Sequence, residues 1–329
     1  MEKTESTMER DVIVTVCGEA PAESIEFCQS HEHLAIRPGQ SARLNPALCI
    51  DEPERTLREL ERYKAAGGNT VIDAQPVGCC RDAKILQMLS AQSGVQIIAS
   101  TGFHKMAFYP DVHWIREKSE AYLAKLFTDE ILCGMFDDGD EAEPSVRTEI
   151  RAGQIKTALD ICGLTPLYRR LFRAAVSAAR AGGVPLMIHV ENHADPLPLL
   201  AYLKSLDLPA ERMIFCHLDR ACGDLSVHKK IAEQGAYLEY DTIGRSKYHS
   251  DERETEIFRE MLDAGFEDRI LFSLDTTRER LKAYTPEGIG LDYILKSFIP
   301  RLLEAGVTET QIRKISRENC RRAFSLKCL

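Results

Sequence analysis

Five short strand-like segments of this chain each end on a side chain that can serve a metal site. His31-Glu32-His33 closes the first segment and Lys156 the fourth. His189 closes the fifth in Leu186-Met187-Ile188-His189, and His217 the sixth in Ile214-Phe215-Cys216-His217. Asp275 closes the eighth, in Leu271-Phe272-Ser273-Leu274-Asp275. On a strand, residues two apart leave the same face, so His31 and His33 point together. Imidazole and carboxylate are the ligands of zinc-like ions, and several must converge to hold one. Singly, each residue says little: an aspartate after a strand often caps the next helix, and a lone lysine snorkels at the surface. Four histidines and an aspartate at equivalent places are hard to obtain from packing alone. The expected chemistry is that of a metal site, and zinc, manganese and cobalt all suit the donors.

The elements that must position these groups repeat along the chain. Amphipathic helices that stop at glycine precede apolar runs: Glu54–Ala66 before Thr70–Ala74, Ala83–Gln92 before Val95–Ser100, and Leu167–Ala181 before Pro185–Val190. His228–Gln234 leads to Ala236–Tyr240, and Glu256–Ala264 to Arg269–Ser273. Glycine just past a helix end accepts the left-handed backbone that stops it. Glu26–Ser30, Ala152–Lys156 and Met213–Cys216 complete eight expected strands, and Thr165-Pro166 and Asp195-Pro196 mark helix starts. Continuous apolar strands belong in a parallel sheet buried on both faces. Eight such units predict an α/β fold, the (β/α)8 TIM barrel, as a single domain over residues 11–329 behind a polar tail of residues 1–10. An open doubly wound sheet is the rival, but no G-x-G-x-x-G follows the first strand. In a barrel the five segment ends fall where active sites lie. Within Asp111–Glu149 a helix is expected around Trp114–Phe127, with an exposed acidic stretch near Asp137–Glu143.

Composition narrows the function class. The 329 residues are 44% hydrophobic and 28% charged, with a net charge of −9 and no basic block, which argues against a nucleic-acid partner. No apolar run reaches the roughly 18 residues of a membrane span, and the N-terminus has no apolar signal core. The 11 cysteines sit mostly in apolar segments and read as reduced thiols. A cytoplasmic enzyme acting on a small molecule is expected, with assembly into a homo-oligomer left open.

From Ser30-His31-Glu32-His33-Leu34 to Glu318-Asn319 the chain resembles the phosphotriesterase family of the amidohydrolase superfamily. The resemblance implies two divalent metal ions. His31, His33 and Asp275 would hold one ion, His189 and His217 the other, and a carboxylated Lys156 would bridge them. An ammonium would repel two cations, whereas a carbamate offers them two anionic oxygens. Two such ions ~3.5–4 Å apart make hydroxide available near neutral pH. The expected reaction is attack of that bridging hydroxide on a carbonyl, with Asp275 as the catalytic residue that takes the proton and passes it to the leaving oxygen.

A narrower resemblance runs through His217-Leu218-Asp219-Arg220, Tyr237-Leu238-Glu239-Tyr240-Asp241, Gly244-Arg245-Ser246-Lys247-Tyr248 and Gly290-Leu291-Asp292-Tyr293-Ile294. It is similar to the branch that opens sugar lactones, several of them phosphorylated furanose (aldono-1,4-) lactones. That likeness assigns Lys247 and Arg278 to the substrate phosphate, and Arg245 is placed with them at the cavity mouth. The branch's tyrosine three residues after the arginine is Leu281 here, with Tyr284 nearby. The alternative activity on the same metals is that of an acyl-lactone or organophosphate triester hydrolase, which would want a greasier mouth than Gly244–His249 and Thr276–Lys282 provide. His104 is read as a substrate contact or a structural residue, and Cys79-Cys80 as packing. His113, His193, His228 and His249 are read as surface or capping residues, and Asp219-Arg220 as orienting His217 or the neighbouring loop.

Overall fold

A computed structural model describes residues 11–328 of the chain. The tail expected over residues 1–10 lies outside the described residues. Eleven strands follow in order: β1 (Val12–Thr15), β2 (Gly18–Pro21), β3 (Cys28–Glu32), β4 (Thr70–Asp73), β5 (Gln96–Ile98), β6 (Ser100–Gly102), β7 (Gln154–Leu159), β8 (Leu186–Val190), β9 (Met213–Cys216), β10 (Tyr237–Tyr240) and β11 (Ile270–Phe272). β3-β4-β5 and β6-β7-β8-β9-β10-β11 form two parallel sheets. β5 and β6 are two halves of one strand broken at Ala99, the first pairing with β4 and the second with β7. The other seam closes between β11 and β3: Ser30 Oγ donates to Phe272 O (3.1 Å) and the His31 amide to Ser273 Oγ (2.9 Å). The result is the (β/α)8 barrel, with a helix after most strands.

Local chemistry explains the helix bounds. Thr165 caps Pro166–Gly182 by accepting from the Tyr168 amide (3.4 Å), and Gly183 ends it at φ 66°. Ser250 starts Asp251–Asp263 and Asp224 starts Leu225–Glu233, each a few residues earlier than apolar periodicity suggests. The helix expected around Trp114–Phe127 is a short turn at Trp114–Arg116 followed by Glu120–Leu132, because the Ser119 hydroxyl takes up the Tyr122 amide (3.2 Å) and restarts the helix there. Gly102, at φ 101°, lets β6 run so close to β7 that a Cβ would collide with the Lys156 carbonyl.

The β1–β2 hairpin is an addition to the expected elements. It packs under the barrel, where the Val16 amide donates to Ile97 O (2.9 Å) and the Leu326 amide to Val12 O (2.7 Å). Ile13, Ile25, Ile72, Ile98, Met187, Ile214, Leu271 and Phe324 fill the interior below the candidate ligands, so the opposite end of the barrel alone is open to chemistry.

His228, read as a surface or capping residue, is buried on its helix. Its Nδ1 faces Tyr240 Oη (3.0 Å) and its Nε2 the Cys222 carbonyl (2.9 Å). Burial lowers its pKa from the ordinary 6.5. Below pH 6.5 the unfolded chain therefore binds a proton that the folded chain resists, and stability falls as pH falls. His228→Gln should flatten the acid limb of a stability–pH curve by up to about 1.4 kcal/mol per pH unit. Parallel limbs for the two proteins would contradict this.

Candidate metal centre

β3 carries His31, with His33 one residue beyond its end, and β8 carries His189. His217 follows β9 directly, at φ 65°, and Asp275 lies three residues past β11, at φ 49°. Two non-glycine residues in the left-handed region at one end of a barrel mark a place where the fold over-determines local backbone strain. Lys156 departs from its expected place. β7 runs on through Thr157-Ala158-Leu159, so the lysine lies within the strand rather than at its end. Its side chain points into the barrel and reaches His31 Nε2 at 2.9 Å.

The six side chains converge. His217 Nε2 stands 2.8 Å from His189 Nδ1, and Asp275 Oδ1 is 3.4 Å from His33 Nε2 and 3.7 Å from His31 Nε2. Buried carboxylates fix two of the rings from behind. His31 Nδ1 faces Glu239 Oε2 (2.9 Å), and His217 Nδ1 lies 2.7 Å from the Asp241 carboxylate. A ring that donates through Nδ1 offers its Nε2 lone pair to the shared space, as a metal-binding imidazole does. Burial and the Lys156 charge favour a neutral His31, yet Glu239 and Asp241 outweigh them and raise the ring to about 9, so an ion at Nε2 would displace a proton. Burial, opposed by Glu191 and aided by the charges of Lys156 and Lys105, lowers His189 to about 4.

Lys156 gives the clearest test of whether metals suit this place. It is fully buried, and its Nζ meets an imidazole nitrogen and, at 3.6 Å, the Met187 sulfur, with no carboxylate salt bridge among the described residues. An unpaired ammonium is costly there. A carbamate on Nζ between two cations would remove that cost, and the nitrogen and oxygen donors around it suit divalent ions. The set fits two ions, one against His31, His33 and Asp275, and one against His189 and His217.

Above the cluster a cavity of about 500 Å³ opens. Arg220, Arg245, Lys247 and Arg280 line it, together with Ile36, Leu44, Leu48 and Phe108. Asp275 Oδ2 accepts from Arg245 (2.9 Å) and Arg220 (3.0 Å). Against the burial that would raise it, Arg245, His33 and Arg220 hold the Asp275 carboxyl well below the usual range. Arg280, whose pKa burial lowers to about 10, is anchored on the carbonyls of Ile243 (2.7 Å) and Gly244 (3.2 Å). Glu191, two residues after His189, faces that ring at 3.3 Å and pairs with Lys105.

The sequence-derived substrate contacts divide. Lys247 and Arg245 line the cavity, but Arg278 does not. Its guanidinium binds Asp51 (2.8 Å) and Glu52 and lies over the Tyr284 ring at 4.8 Å. The short turn Arg278–Arg280 presents the second arginine to the cavity instead of the first. His104 also lines the cavity, with its Nδ1 accepting from the Lys105 amide (2.8 Å). Asp219 serves the neighbouring loop rather than His217, accepting from the amides of Asp241 (2.9 Å) and Thr242 (2.6 Å).

Glu32, between the two histidines, points away from the cavity. Its oxygens accept from Ser273 Oγ (2.6 Å), the Leu274 amide (2.8 Å), and the Thr276 amide (3.0 Å) and hydroxyl (2.6 Å). Burial lifts it to about 7 against those four bonds. It thus ties β3 to the segment that presents Asp275. Glu32→Gln puts an NH2 against hydrogen-bond donors and should cost about 2–3 kcal/mol in denaturant unfolding, with turnover down about tenfold. Unchanged stability would mean the tie is dispensable.

Residues 13–324 match the model of the phosphotriesterase family. The chain is 31% identical over 288 residues to the N-acetyltaurine hydrolase of Bos taurus, covering 84% of this chain and 78% of that protein. Among solved structures, the phosphotriesterase homology protein of Escherichia coli, complexed with phosphate in its active site, superposes with a TM-score of 0.82 at 29% identity, over 91% of this chain and 99% of that one. A lactonase from Listeria monocytogenes does so with a TM-score of 0.87 at 26% identity, over 96% and 99%. No helix among the described residues is long and apolar enough to cross a membrane. The converging donors, the barrel that carries them and this match lead to one conclusion: the chain belongs to the phosphotriesterase family of metal-dependent hydrolases.

Proposed function

We propose that the cavity opens a small lactone bearing an anionic group, with a sugar-derived phosphorylated furanose lactone as the type. The observation that carries this reading is the lining itself: Arg220, Arg245, Lys247 and Arg280 face the same space as His31, His33, His189, His217 and Asp275. Two divalent ions held by His31, His33, Lys156, His189, His217 and Asp275 would supply activated water and a polarised carbonyl.

The chain's own residues do the rest. Lys247, as a point charge, and Arg245, as a fork, recognise a tetrahedral oxyanion. Asp275 receives a proton on Oδ2 and returns it to the leaving oxygen. In the free protein that atom is tied to two guanidinium groups. A substrate anion that draws Arg245 toward itself would free Oδ2 for the proton, which links recognition to turnover.

A second reading keeps the site and changes the bond: an amide joining a short acyl group to an amino-sulfonate. The N-acetyltaurine hydrolase relative supports it, as does the withdrawal of Arg278 from the cavity, which removes one expected phosphate contact. A neutral triester or acyl-lactone gains nothing from the cationic lining.

The deciding experiment measures kcat/KM on γ-lactones with and without a terminal phosphate, alongside N-acetyltaurine and its neutral N-acetyl-ethylamine analogue. The anionic member of one pair should be preferred at least about tenfold, roughly 1.4 kcal/mol. Lys247→Ala and Arg245→Met should erase that preference, and Arg278→Ala should keep it. Equal or better turnover of the neutral members would overturn the anion reading.

A further inference from the structure

Beyond the six ligands, a second group of metal-type donors meets at the base of the loop that follows β10. Asp219, in the short helix Leu218–Ala221, His249, in that loop, and Glu254, in the first turn of Asp251–Asp263, bring ligand atoms within 4.8 Å of one another. Asp219 and Glu254 are buried, and His249 is half-buried.

The charge around them is unbalanced. Asp219 accepts from the backbone amides of Arg220, Asp241 and Thr242, which fix its carboxylate without neutralising it. The Arg220 guanidinium is directed to Asp241 and Asp275. Glu254 Oε2 contacts His249 Nε2, while Glu254 Oε1 is buried with no hydrogen-bond partner. Asp241 and Asp251 add further negative charge nearby, and burial followed by repulsion from Asp219 raises the Glu254 pKa well above its ordinary value. Arg253 and Arg220 are the cations facing His249. Two adjacent buried carboxylates need a proton or a metal ion between them.

We propose that Asp219, His249 and Glu254 form a further divalent-cation site, separate from the catalytic cluster, that pins the loop carrying Arg245 and Lys247 to the helix behind it. One imidazole and two carboxylates are a zinc- or manganese-type set, and solvent completes the shell. Donors at ~2.0–2.2 Å from one ion stand about 3–3.5 Å apart, within the spread seen here. Glu254 Oε1 thereby gains its missing partner. The same ion would stiffen the segment that meets the substrate anion, so specificity would depend on a metal that never touches the reacting bond.

Metal content of the full-length protein after equilibration with zinc and gel filtration tests this, using Glu254→Gln, His249→Asn and Lys156→Met. Wild type should carry one equivalent more than Glu254→Gln and His249→Asn. Lys156→Met should lose metal at the catalytic cluster and keep this equivalent, so failure here is distinguishable from failure of the hydrolase reading. Amide exchange over residues 241–250 should quicken in Glu254→Gln, and in wild type treated with chelator. Equal metal content in wild type and both site variants overturns the proposal. So does a Glu254→Gln protein of raised Tm whose loop exchange ignores chelator, since Glu254 and Asp219 then share a proton.

Discussion

Lys156→Met should abolish hydrolysis, by at least about 10³-fold, and yet raise the Tm of the metal-free protein. The two effects have one origin. Lys156 is wholly buried against His31 Nε2 and the Met187 sulfur, with no carboxylate salt bridge among the described residues. Replacing an uncompensated buried charge with an apolar chain of similar length stabilises by about 1–4 kcal/mol. With metal present the order should reverse. A ligand that binds only the folded state adds about 4.1 kcal/mol at a thousand times its Kd. Wild type should collect that gain at the catalytic cluster and the variant should not. Differential scanning fluorimetry with and without zinc reads both signs. A variant less stable than wild type without metal would mean that Lys156 is an ordinary structural lysine.

Asp275→Asn should lower kcat by about 10²–10⁴-fold, the usual worth of a positioned proton carrier. The KM for an anionic substrate should not rise. Asparagine keeps an oxygen for the cluster, but its NH2 meets the guanidinium groups that now share Oδ2, Arg245 at 2.9 Å and Arg220 at 3.0 Å. Those arginines, released from a carboxylate, remain free to bind the substrate anion. The signature is therefore a loss confined to kcat, with a fall of roughly 1–3 kcal/mol in stability from the donor–donor conflict. Near-normal kcat would remove Asp275 from the proton path.

Much of the site was legible because its histidines end apolar strands. His189 and His217 each stand at a point where an apolar run stops, and strand period faces His31 with His33. Lys156 shows the limit of that reasoning. The run Ala152–Lys156 looks like a strand with a terminal lysine, whereas β7 starts at Gln154 and continues to Leu159, because the expected strand stops short of Thr157-Ala158-Leu159. Arg278 and Arg280 show another limit. Two residues apart in a tight turn, they diverge, and only the carbonyls of Ile243 and Gly244, contributed from another loop, decide which one faces the cavity. Glu239 and Asp241, two apart near the end of β10, share a face by strand period, yet their service to His31 and His217 depends on barrel closure. The β1–β2 hairpin escaped the reading because its strands are short and β2 is largely exposed.

Anomalous diffraction at the metal edge from crystals of zinc-loaded protein tests most directly whether two ions lie between the six side chains. Two peaks should appear about 3.5–4 Å apart inside the ring of His31, His33, Lys156, His189, His217 and Asp275, with branched density on the Lys156 Nζ. No peak in that ring, and an unmodified amine against His31, would contradict a two-metal centre.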